Sequence, residues 1–294
     1  MKNVLCTVLS KSKFYQGLAL YYSLVNSMED FRLYILCMDD TTYRLLEQMK
    51  PKHVVITHVR ELEKGSLLDI KKQRKLHEYC WTLKPVYIEN LMIKHPLIIR
   101  ITYVDADLFF WSDPAEIFKN QPYCSVLLSR GDPYYPTRTL KFINYKRELY
   151  GNYNSGFVSF KNDQIGLSSV QFWKENCLER CSDIPISGSF GDQTYLNFLP
   201  VLFPRVCDIA TPGVNIGHWN CPKYNFYVKN GELFIDESKL ICYHFSGFKI
   251  TGKGKMKLKY EAKSNNLPFI YDIYKKTINR IVSYVEQINP GFTP

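Results

Sequence analysis

Strand-like and helix-like segments alternate through the first 130 residues, and this alternation is the strongest constraint on the fold. Apolar runs typical of strands are followed by segments whose apolar residues recur at helical spacing. The predicted strands are residues 3–9, 32–38, 53–59 and 97–104, and the predicted helices are residues 14–27, 41–49 and 71–94, the last with a break before Pro85. Repeated β-α-β units predict an α/β fold with a mostly parallel sheet covered on both faces, in which ligands bind beyond the carboxyl ends of the strands.

The second half of the chain is less regular. Its predicted strands are residues 124–129, 154–160 and 241–245, and its predicted helices are residues 166–180, 191–199 and 269–288. The last helix carries an apolar stripe, so we expect it to pack back onto the domain; contact with a membrane surface or a partner is the alternative. We therefore predict one domain over residues 1–265 and a C-terminal amphipathic helix over residues 266–294, packed on or beside it.

The composition indicates a globular protein. Of the 294 residues, 46% are hydrophobic and 22% are charged, which argues against a disordered or collagen-like chain. No run approaches the roughly 20 apolar residues that span a bilayer. The short apolar run at residues 4–9 is followed by lysines, unlike a signal peptide, so we expect a cytoplasmic protein. Its nine scattered cysteines are expected to stay reduced, most of them as small core residues.

Positive charge is in excess, with 38 Lys and Arg against 28 Asp and Glu and a net charge of +10. Nucleic-acid binding is not expected, because the aromatic residues are spread evenly and no arginine-rich stripe accompanies them. The local concentration of charge is the basic cluster, residues 249–259. This cluster is either a solvated loop or a contact for phosphate or an anionic surface.

Two carboxylates directly follow a mostly apolar predicted strand. Residues i and i+2 of an extended chain point the same way, so Asp105 and Asp107 can converge at the carboxyl end of strand 97–104. Converging carboxylates repel each other unless a proton or a cation lies between them. Mg²⁺ or Mn²⁺ held by the carboxylates and by substrate phosphates would satisfy both charges. The alternative is that one Asp caps a helix or turn and the other is solvated.

A histidine in a second segment is a candidate ligand for the same cation. His244 lies in a short strand-like run and is followed by Gly247 and Lys249. This order suits an imidazole on a metal and a loop around a diphosphate. A lone His is more often a core residue, and that reading stays open.

Two more segments combine polar side chains with turn-forming residues. Asp192 and Gln193 follow a stretch rich in Gly and Ser. They either cap a helix or place an acid and an amide over a substrate. Residues 152–158 form a polar turn that leads into an apolar strand, and by itself this segment indicates only a turn.

Taken in order, these segments resemble the DxD-containing GT-A glycosyltransferases, nucleotide-sugar enzymes with a Rossmann-like domain. The likeness is greatest to bacterial enzymes of polysaccharide and glycoconjugate synthesis and more distant to the glycogenin-like glycosyltransferase family 8. Family 8 has a Lys six residues after the His, followed by Pro-Trp; here residue 250 is Ile, and Lys249 lies one residue earlier. Seven blocks carry the resemblance: Cys6-Thr7-Val8-Leu9-Ser10, Tyr79-Cys80-Trp81-Thr82-Leu83-Lys84-Pro85, Val104-Asp105-Ala106-Asp107, Tyr153-Asn154-Ser155-Gly156-Phe157, Gly191-Asp192-Gln193, Asn215-Ile216-Gly217-His218-Trp219-Asn220 and Tyr243-His244-Phe245-Ser246-Gly247-Phe248.

The resemblance implies a role for each matching residue in a donor site. Asp105, Asp107 and His244 match the metal ligands, and Asp192 and Gln193 match the pair beside the anomeric carbon. The remaining matches are donor contacts: Thr7, Val8 and Ser10 at the nucleoside, Phe14 or Tyr15 at the base, Lys84 and Ala106 toward the donor, Asn154 and Ser155 near the donor sugar, and Gly247 and Lys249 at the diphosphate.

The resemblance therefore implies a glycosyltransferase that depends on Mn²⁺ or Mg²⁺ and uses a nucleotide-sugar donor, which we expect to be a UDP-sugar, with retention at the anomeric carbon. The acceptor would be a glycan, a glycolipid or another glycoconjugate, and a lipid-linked acceptor would bring the protein to the inner membrane face as a peripheral protein. Two alternatives stay open. One is a non-catalytic carbohydrate- or nucleic-acid-binding protein. The other is a sugar-nucleotide pyrophosphorylase, although the Gly-rich loop typical of that class is missing after residue 9.

Overall fold

The computed structural model describes residues 3–186, 188–251, 254–258 and 268–294. The described strands, in chain order, are β1 (Asn3–Leu9), β2 (Phe31–Cys37), β3 (Val54–His58), β4 (Arg100–Val104), β5 (Leu108–Phe110), β6 (Val126–Arg130), β7 (Tyr153–Lys161), β8 (Val206–Asp208), β9 (Ile216–Gly217), β10 (Phe226–Lys229), β11 (Glu232–Ile235), β12 (Ser238–Lys239), β13 (Cys242–His244), β14 (Phe248–Thr251) and β15 (Lys255–Leu258). The described α-helices are α1 (Phe14–Ser27), α2 (Asp40–Met49), α3 (Ser66–Gln73), α4 (Leu76–Lys94), α5 (Ala115–Asn120), α6 (Leu140–Tyr150), α7 (Gln164–Glu179), α8 (Leu199–Leu202) and α9 (Pro268–Ile288).

A seven-stranded sheet forms the centre of the molecule, in the order β3-β2-β1-β4-β7-β6-β8. Strand β7 runs antiparallel to its neighbours β4 and β6, and the other neighbouring strands of this sheet are parallel. The predicted α/β fold with a mostly parallel sheet is confirmed. A smaller sheet of β5, β13 and β9 matters for the site described below.

Apolar layers cover both faces of the central sheet. In β1, Leu5 and Leu9 belong to one buried cluster, and Cys6 and Val8 belong to the other, because side chains alternate along a strand. Helices α1 and α9 supply much of the first cluster, and α4 and α7 supply much of the second. A strand that is buried on both faces needs apolar residues at nearly every position, which explains why the runs at β1 and β2 are easy to recognise in the sequence.

The strand predicted at 97–104 begins later in the structure. Residues 95–98 form a turn in which the amide of Ile98 donates to the carbonyl of His95, and β4 starts at Arg100. Leu97 is 93% exposed. The prediction was wrong for the first three residues because an apolar run was read as strand although its start lies in a solvent-exposed turn.

The helix predicted at 71–94 is continuous through Pro85, so the predicted break is wrong. The interruption lies earlier, between α3 and α4. Pro85 cannot donate a backbone hydrogen bond to the preceding turn, a loss that normally interrupts a helix. Here the flanking residues Leu83, Tyr87 and Ile88 are fully buried, and this packing holds the helix together across the proline.

The cysteines are mostly small core residues, as expected, but two of them are not reduced. Cys124 and Cys207 form a disulfide, with their Cα atoms 6.0 Å apart. The pairing follows from the sheet, because β6 and β8 are parallel neighbours and bring together residues 83 positions apart. The expectation that all thiols stay reduced is wrong for this pair. The remaining cysteines are free, and all but the half-buried Cys80 are buried.

The predicted C-terminal helix is present as α9 and packs against α1. Its apolar stripe faces the core, where the buried members are Ile270, Tyr274, Ile278, Ile281 and Val285. The division at residue 265 lies outside the described residues and stays a prediction. Among the helices that the structure describes, none has the length and apolar content needed to cross a membrane.

Candidate functional site

Two neighbouring segments bring the predicted metal ligands together at the carboxyl end of β4. Asp105 and Asp107 lie in the tight turn between β4 and β5, in which the amide of Leu108 donates to the carbonyl of Asp105. Strand β5 pairs antiparallel with β13, and this register places His244 opposite Leu108. The amide of Phe245 also donates to the carbonyl of Asp107, 2.9 Å away. Backbone pairing therefore fixes the imidazole beside the carboxylates.

The side chains of these residues form a compact set of ligand atoms. The Nε2 atom of His244 lies 3.0 Å from Oδ1 of Asp107 and 3.7 Å from Oδ2 of Asp105. One ligand atom from each of the three residues lies within 4.8 Å of the others. Carboxylate oxygens and an imidazole nitrogen suit Mn²⁺ and Mg²⁺, so the donor set fits a divalent cation.

Each carboxylate also contacts a lysine through its other oxygen. Lys84 Nζ lies 3.0 Å from Oδ1 of Asp105, and Lys13 Nζ lies 2.9 Å from Oδ2 of Asp107. Burial of Asp107 opposes its ionisation, but the Lys13 ammonium and the His244 imidazole hold the pKa of this carboxyl well below its usual range. Both carboxylates are thus oriented with one oxygen toward a lysine and the other toward His244.

Lys13 is a site residue that the sequence analysis missed. Its side chain is 38% exposed, so it borders solvent as well as Asp107. It follows β1, the parallel neighbour of β4. The carboxyl ends of neighbouring parallel strands share one edge of the sheet, and this was a signal available in the sequence.

Lys84 links several of the predicted donor contacts. Its side chain is 3% exposed, and Nζ lies 3.0 Å from Ser155 Oγ and 3.3 Å from Asp192 Oδ2, in addition to its contact with Asp105. Burial alone would lower the pKa of Lys84, but Asp105 and Asp192 outweigh it and raise that pKa above its usual value. Burial raises the pKa of Asp192, and Lys84 partly opposes this. The structure therefore brings Lys84, Asp105, Ser155 and Asp192 into one buried network.

The turn that carries Asp192 is not the helix expected at 191–199. Gly191 has a left-handed φ of +54°, and the following residues form a 3₁₀-helix, Thr194–Phe198, before α8. No side chain caps that 3₁₀-helix, so the alternative that Asp192 is a helix cap is not observed. The backbone carbonyl of Asp192 accepts from Trp173 Nε1 at 2.7 Å. The Gln193 amide donates to the carbonyl of Tyr150 at 2.5 Å.

The predicted nucleoside contacts lie at the end of β1 and the start of α1. Ser10 lies at the N-terminus of the short 3₁₀-helix that carries Lys13, and Thr7 and Val8 are buried in β1. The structure does not bring Phe14 and Tyr15 to the carboxylates. Both rings are buried in the apolar core against Phe292, with ring centroids 5.3 and 5.4 Å away. Contact of either ring with a base stays a prediction.

The predicted diphosphate contacts lie on a turn and a hairpin that follow His244. Gly247 has a left-handed φ of +80° in the turn between β13 and β14. Lys249 is exposed on β14 and lies opposite Lys257 on β15. Part of the basic cluster, residues 252, 253 and 259, lies outside the described residues. Ala106 is buried in the turn between the two carboxylates.

A second cluster of acidic and imidazole groups has a structural role instead. It contains His77, Glu78 and Asp183. The Glu78 carboxylate accepts from the backbone amides of Lys75 and Asp183, and Lys75 Nζ contacts both oxygens of Asp183. These contacts cap the N-terminus of α4 and attach the 181–183 loop to it.

Comparison with known proteins gives relatives without a described activity and solved structures with the same fold. No protein-family model matches the chain. The uncharacterized protein YfnF of Bacillus subtilis (strain 168) is 45% identical over 99% of this chain and 97% of its own length. The uncharacterized protein YfnD of the same organism is 33% identical, over 97% of this chain and 91% of its own length. The chain belongs to the family of YfnF and YfnD.

The solved structures identify the fold of this family member. Galactosyltransferase LgtC, in complex with donor and acceptor sugar analogs, matches 96% of this chain and 95% of its own with a TM-score of 0.55 at 8% identity. Mouse xyloside xylosyltransferase 1 matches 84% of this chain and 98% of its own with a TM-score of 0.51 at 13% identity. Glycosyltransferase GlyE of Streptococcus pneumoniae TIGR4 matches 97% of this chain and 64% of its own, with a TM-score of 0.53 at 12% identity. At these identities the likeness shows the fold, which is the GT-A fold.

Close packing of a glycine against His244 gives a first testable prediction. A Cβ atom at Gly156 would lie 2.5 Å from Cε1 of His244 and 2.8 Å from Oδ1 of Asn154. Gly156→Ala should therefore displace the imidazole and weaken binding of Mn²⁺ by about 10- to 100-fold, the usual effect of disturbing the groups that orient a ligand. Calorimetric titration with MnCl₂ measures this change.

Gly131→Ala is the matched control, because a Cβ atom there would meet its nearest neighbour, the carbonyl of Asn152, at an ordinary 3.6 Å. We expect the control to bind Mn²⁺ like the wild type. Equal affinity of Gly156→Ala and the wild type would show that the imidazole position does not matter for the metal.

Proposed function

We propose that this protein is a metal-dependent glycosyltransferase that moves a sugar from a nucleoside-diphosphate donor, a UDP-sugar, to a glycan, glycolipid or other glycoconjugate acceptor. The observation that carries the proposal is the convergence of Asp105, Asp107 and His244 at the carboxyl edge of a GT-A sheet. The sequence resemblance supports the same activity. Two of the fold neighbours are named as a galactosyltransferase and a xylosyltransferase, which transfer a hexose and a pentose. For this protein we propose transfer of a hexose.

The reaction breaks the bond between the anomeric carbon and the diphosphate and forms a bond to an acceptor oxygen, whose proton passes to the leaving diphosphate or to water. Asp105, Asp107 and His244 would hold Mn²⁺ or Mg²⁺, which supplies Lewis-acid stabilisation to the leaving diphosphate. Lys13 lies at the solvent side of Asp107 and can donate to a phosphate oxygen, adding positive charge where negative charge develops.

We assign the donor sugar to Asp192, which lies at the other end of this series of contacts from Lys13. Lys84 holds Asp105, Ser155 and Asp192 in fixed positions, so the Asp192 carboxylate is oriented before the donor binds. A carboxylate beside the anomeric carbon stabilises the positive charge of an oxocarbenium-like transition state. Asp192 has that role in our proposal, with Gln193 next to it, and the configuration is retained.

The acceptor side is assigned from charge and exposure. Hairpin β14–β15 directly follows the site and presents Lys255 and Lys257 to solvent. Basic groups beside a transfer site suit an acceptor carried on a lipid phosphate. We propose that residues 1–265 act as the catalytic domain at the cytoplasmic face of a membrane, with the C-terminal helix over residues 266–294 packed on it, and that the membrane contact is peripheral.

A thermal-shift screen tests the donor and the metal together. UDP-, GDP-, CMP- and dTDP-sugars are each added with Mn²⁺, Mg²⁺ or EDTA. A UDP-sugar with Mn²⁺ should stabilise the protein by about 2.7 kcal/mol at a concentration 100 times its Kd. EDTA should remove the shift. A shift that survives EDTA contradicts metal dependence, and a shift with another nucleotide class contradicts the choice of UDP.

Product analysis separates transfer from the alternatives. A transferase releases UDP from a UDP-sugar when an acceptor or water takes the sugar. A pyrophosphorylase instead consumes pyrophosphate and forms UTP and a sugar phosphate, whereas a binding protein gives a thermal shift without turnover. UDP release that needs Mn²⁺ is the result expected here.

A further inference from the structure

A chain of hydrogen bonds connects the backbone of β7 to the imidazole of His244. The amide of Gly156 donates to Oδ1 of Asn154 at 2.9 Å. The same oxygen lies 2.9 Å from Nδ2 of Asn215, and Oδ1 of Asn215 lies 3.0 Å from Nδ1 of His244. We call Asn154 and Asn215 the amide relay. Neither the metal ligands nor the donor contacts considered above include Asn215.

The donor and the acceptor of each hydrogen bond in the amide relay follow from the backbone amide of Gly156. The amide of Gly156 can only donate, so the Asn154 atom that it contacts is the oxygen. That oxygen also contacts Asn215, which must donate to it through Nδ2. The other end of the Asn215 amide is then an oxygen, which accepts a hydrogen bond from Nδ1 of His244. The hydrogen-bond network thus assigns a hydrogen to Nδ1.

The relay leaves Nε2 as the nitrogen that faces the carboxylates. Nε2 lies 3.0 Å from Asp107 Oδ1 and 3.7 Å from Asp105 Oδ2. A metal-binding histidine coordinates through one nitrogen while the other donates to a neighbouring acceptor, which sets the tautomer and the orientation of the ring. Asn215 has the chemistry and the position of that acceptor.

The fold holds the relay in place. Asn215 is 1% exposed, and its φ of +55° lies in the left-handed region, where Asn is one of the few residues other than glycine found regularly. Its backbone amide contacts Cys242 Sγ, two residues before His244. On the other side, the missing Cβ of Gly156 leaves the space that the imidazole fills.

We infer that Asn215, anchored by Asn154, is a positioning residue that keeps the hydrogen of His244 on Nδ1 and presents the lone pair of Nε2 to the divalent cation. The inference rests on the proposed function, because it assumes a cation at Asp105, Asp107 and His244. Asn215 acts through His244 and is not one of the proposed metal ligands or donor contacts.

Binding of Mn²⁺ alone tests the relay. Asn215→Gly removes the acceptor and tolerates a left-handed φ without strain. We expect it to bind Mn²⁺ about 10- to 100-fold more weakly than the wild type, measured by electron paramagnetic resonance of free Mn²⁺. Asn215→Asp also tolerates this φ and keeps an acceptor oxygen for Nδ1 of His244, but it loses the Nδ2 donor to Asn154, so it should recover only part of the affinity that Asn215→Gly loses. If Asn215→Gly does not fold, Asn154→Ala is the second variant, because it removes the oxygen to which Nδ2 of Asn215 donates.

The position of the hydrogen is measured directly by nuclear magnetic resonance. Protein labelled with ¹⁵N-histidine and loaded with Mg²⁺ should show His244 as the Nδ1-protonated tautomer. Comparison with His244→Ala identifies its signals among those of the six histidines. In Asn215→Gly the signals should move toward a mixture of tautomers, and in Asn215→Asp they should stay as in the wild type.

The outcomes separate the relay from the proposed function. If the wild type binds Mn²⁺, His244→Ala loses it, and Asn215→Gly keeps both the affinity and the tautomer of the wild type, the relay is overturned and the metal site stands. If the wild type and His244→Ala show the same lack of Mn²⁺ binding, the metal site itself is overturned, and the relay with it.

Discussion

Replacing Asp107 with Asn is expected to reduce sugar transfer on the order of 10³-fold, the loss typical of removing one preorganised electrostatic group. The substitution keeps the shape of the side chain but removes the charge that faces both His244 and Lys13. The backbone carbonyl that accepts from Phe245 is unaffected, so the register of β5 and β13 should persist. The measurement is the initial rate of UDP release with Mn²⁺ and the preferred UDP-sugar.

Asp69→Asn is the control for this experiment. Asp69 lies on α3 and makes an exposed ion pair with Lys72, and neither residue is among the candidate metal ligands or donor contacts. We expect this variant to retain wild-type activity. Wild-type activity of Asp107→Asn that still requires Mn²⁺ would place the cation elsewhere in the molecule.

The elements that could be read from the sequence have a regular apolar pattern. The pattern is continuous in strands buried on both faces of the sheet and recurs at helical spacing in α1 and α9. Strands β1 and β2 are apolar at nearly every position, and the carboxylates after β4 are recognisable because i and i+2 side chains of an extended chain share a direction. Leu97 shows the limit of this reasoning. It extends an apolar run in the sequence, but the turn before β4 places it in solvent.

Contacts that depend on register could not be read from the sequence in the same way. The role of His244 rested on a resemblance, because the pairing of β5 with β13 joins residues more than 130 positions apart. Asn215 lies in one of the matching blocks, but the sequence predicted no role for it. Its contact with His244 depends on its own left-handed φ and on the amide orientation that begins at Gly156, and neither can be read from the sequence. The disulfide of Cys124 and Cys207 likewise depends on the order of strands in the sheet.

Lys84→Met is expected to destabilise the protein by about 3–5 kcal/mol, because it leaves two carboxylates without their buried cation. Lys84 Nζ lies 3.0 Å from Asp105 Oδ1 and 3.3 Å from Asp192 Oδ2. Met has a similar volume, so the loss should come from charge more than from packing. The free energy of unfolding, measured with urea, gives the size of the effect.

The destabilisation caused by Lys84→Met should be larger at high pH than at low pH, because Asp192 is buried. Burial already raises the pKa of Asp192 above 3.8, and removal of Lys84 takes away the main opposing influence. A carboxyl with a raised pKa in the folded state binds its proton more tightly there, so its contribution to stability is full in acid and is lost as the pH rises through the folded-state pKa. Lys84→Met should therefore lose more stability relative to the wild type at pH 8 than at pH 5.

Two comparison variants connect this loss to the buried charges. Asp192→Asn combined with Lys84→Met removes one of the stranded carboxylates and should recover part of the lost stability, mainly at pH 8. Lys72→Met removes a lysine whose ion pair with Asp69 is exposed, and such pairs contribute about 0–1 kcal/mol. If Lys84→Met unfolds at the wild-type urea concentration at pH 8, the two carboxylates do not depend on Lys84 for compensation, and the network at the end of β4 must be neutralised by another group.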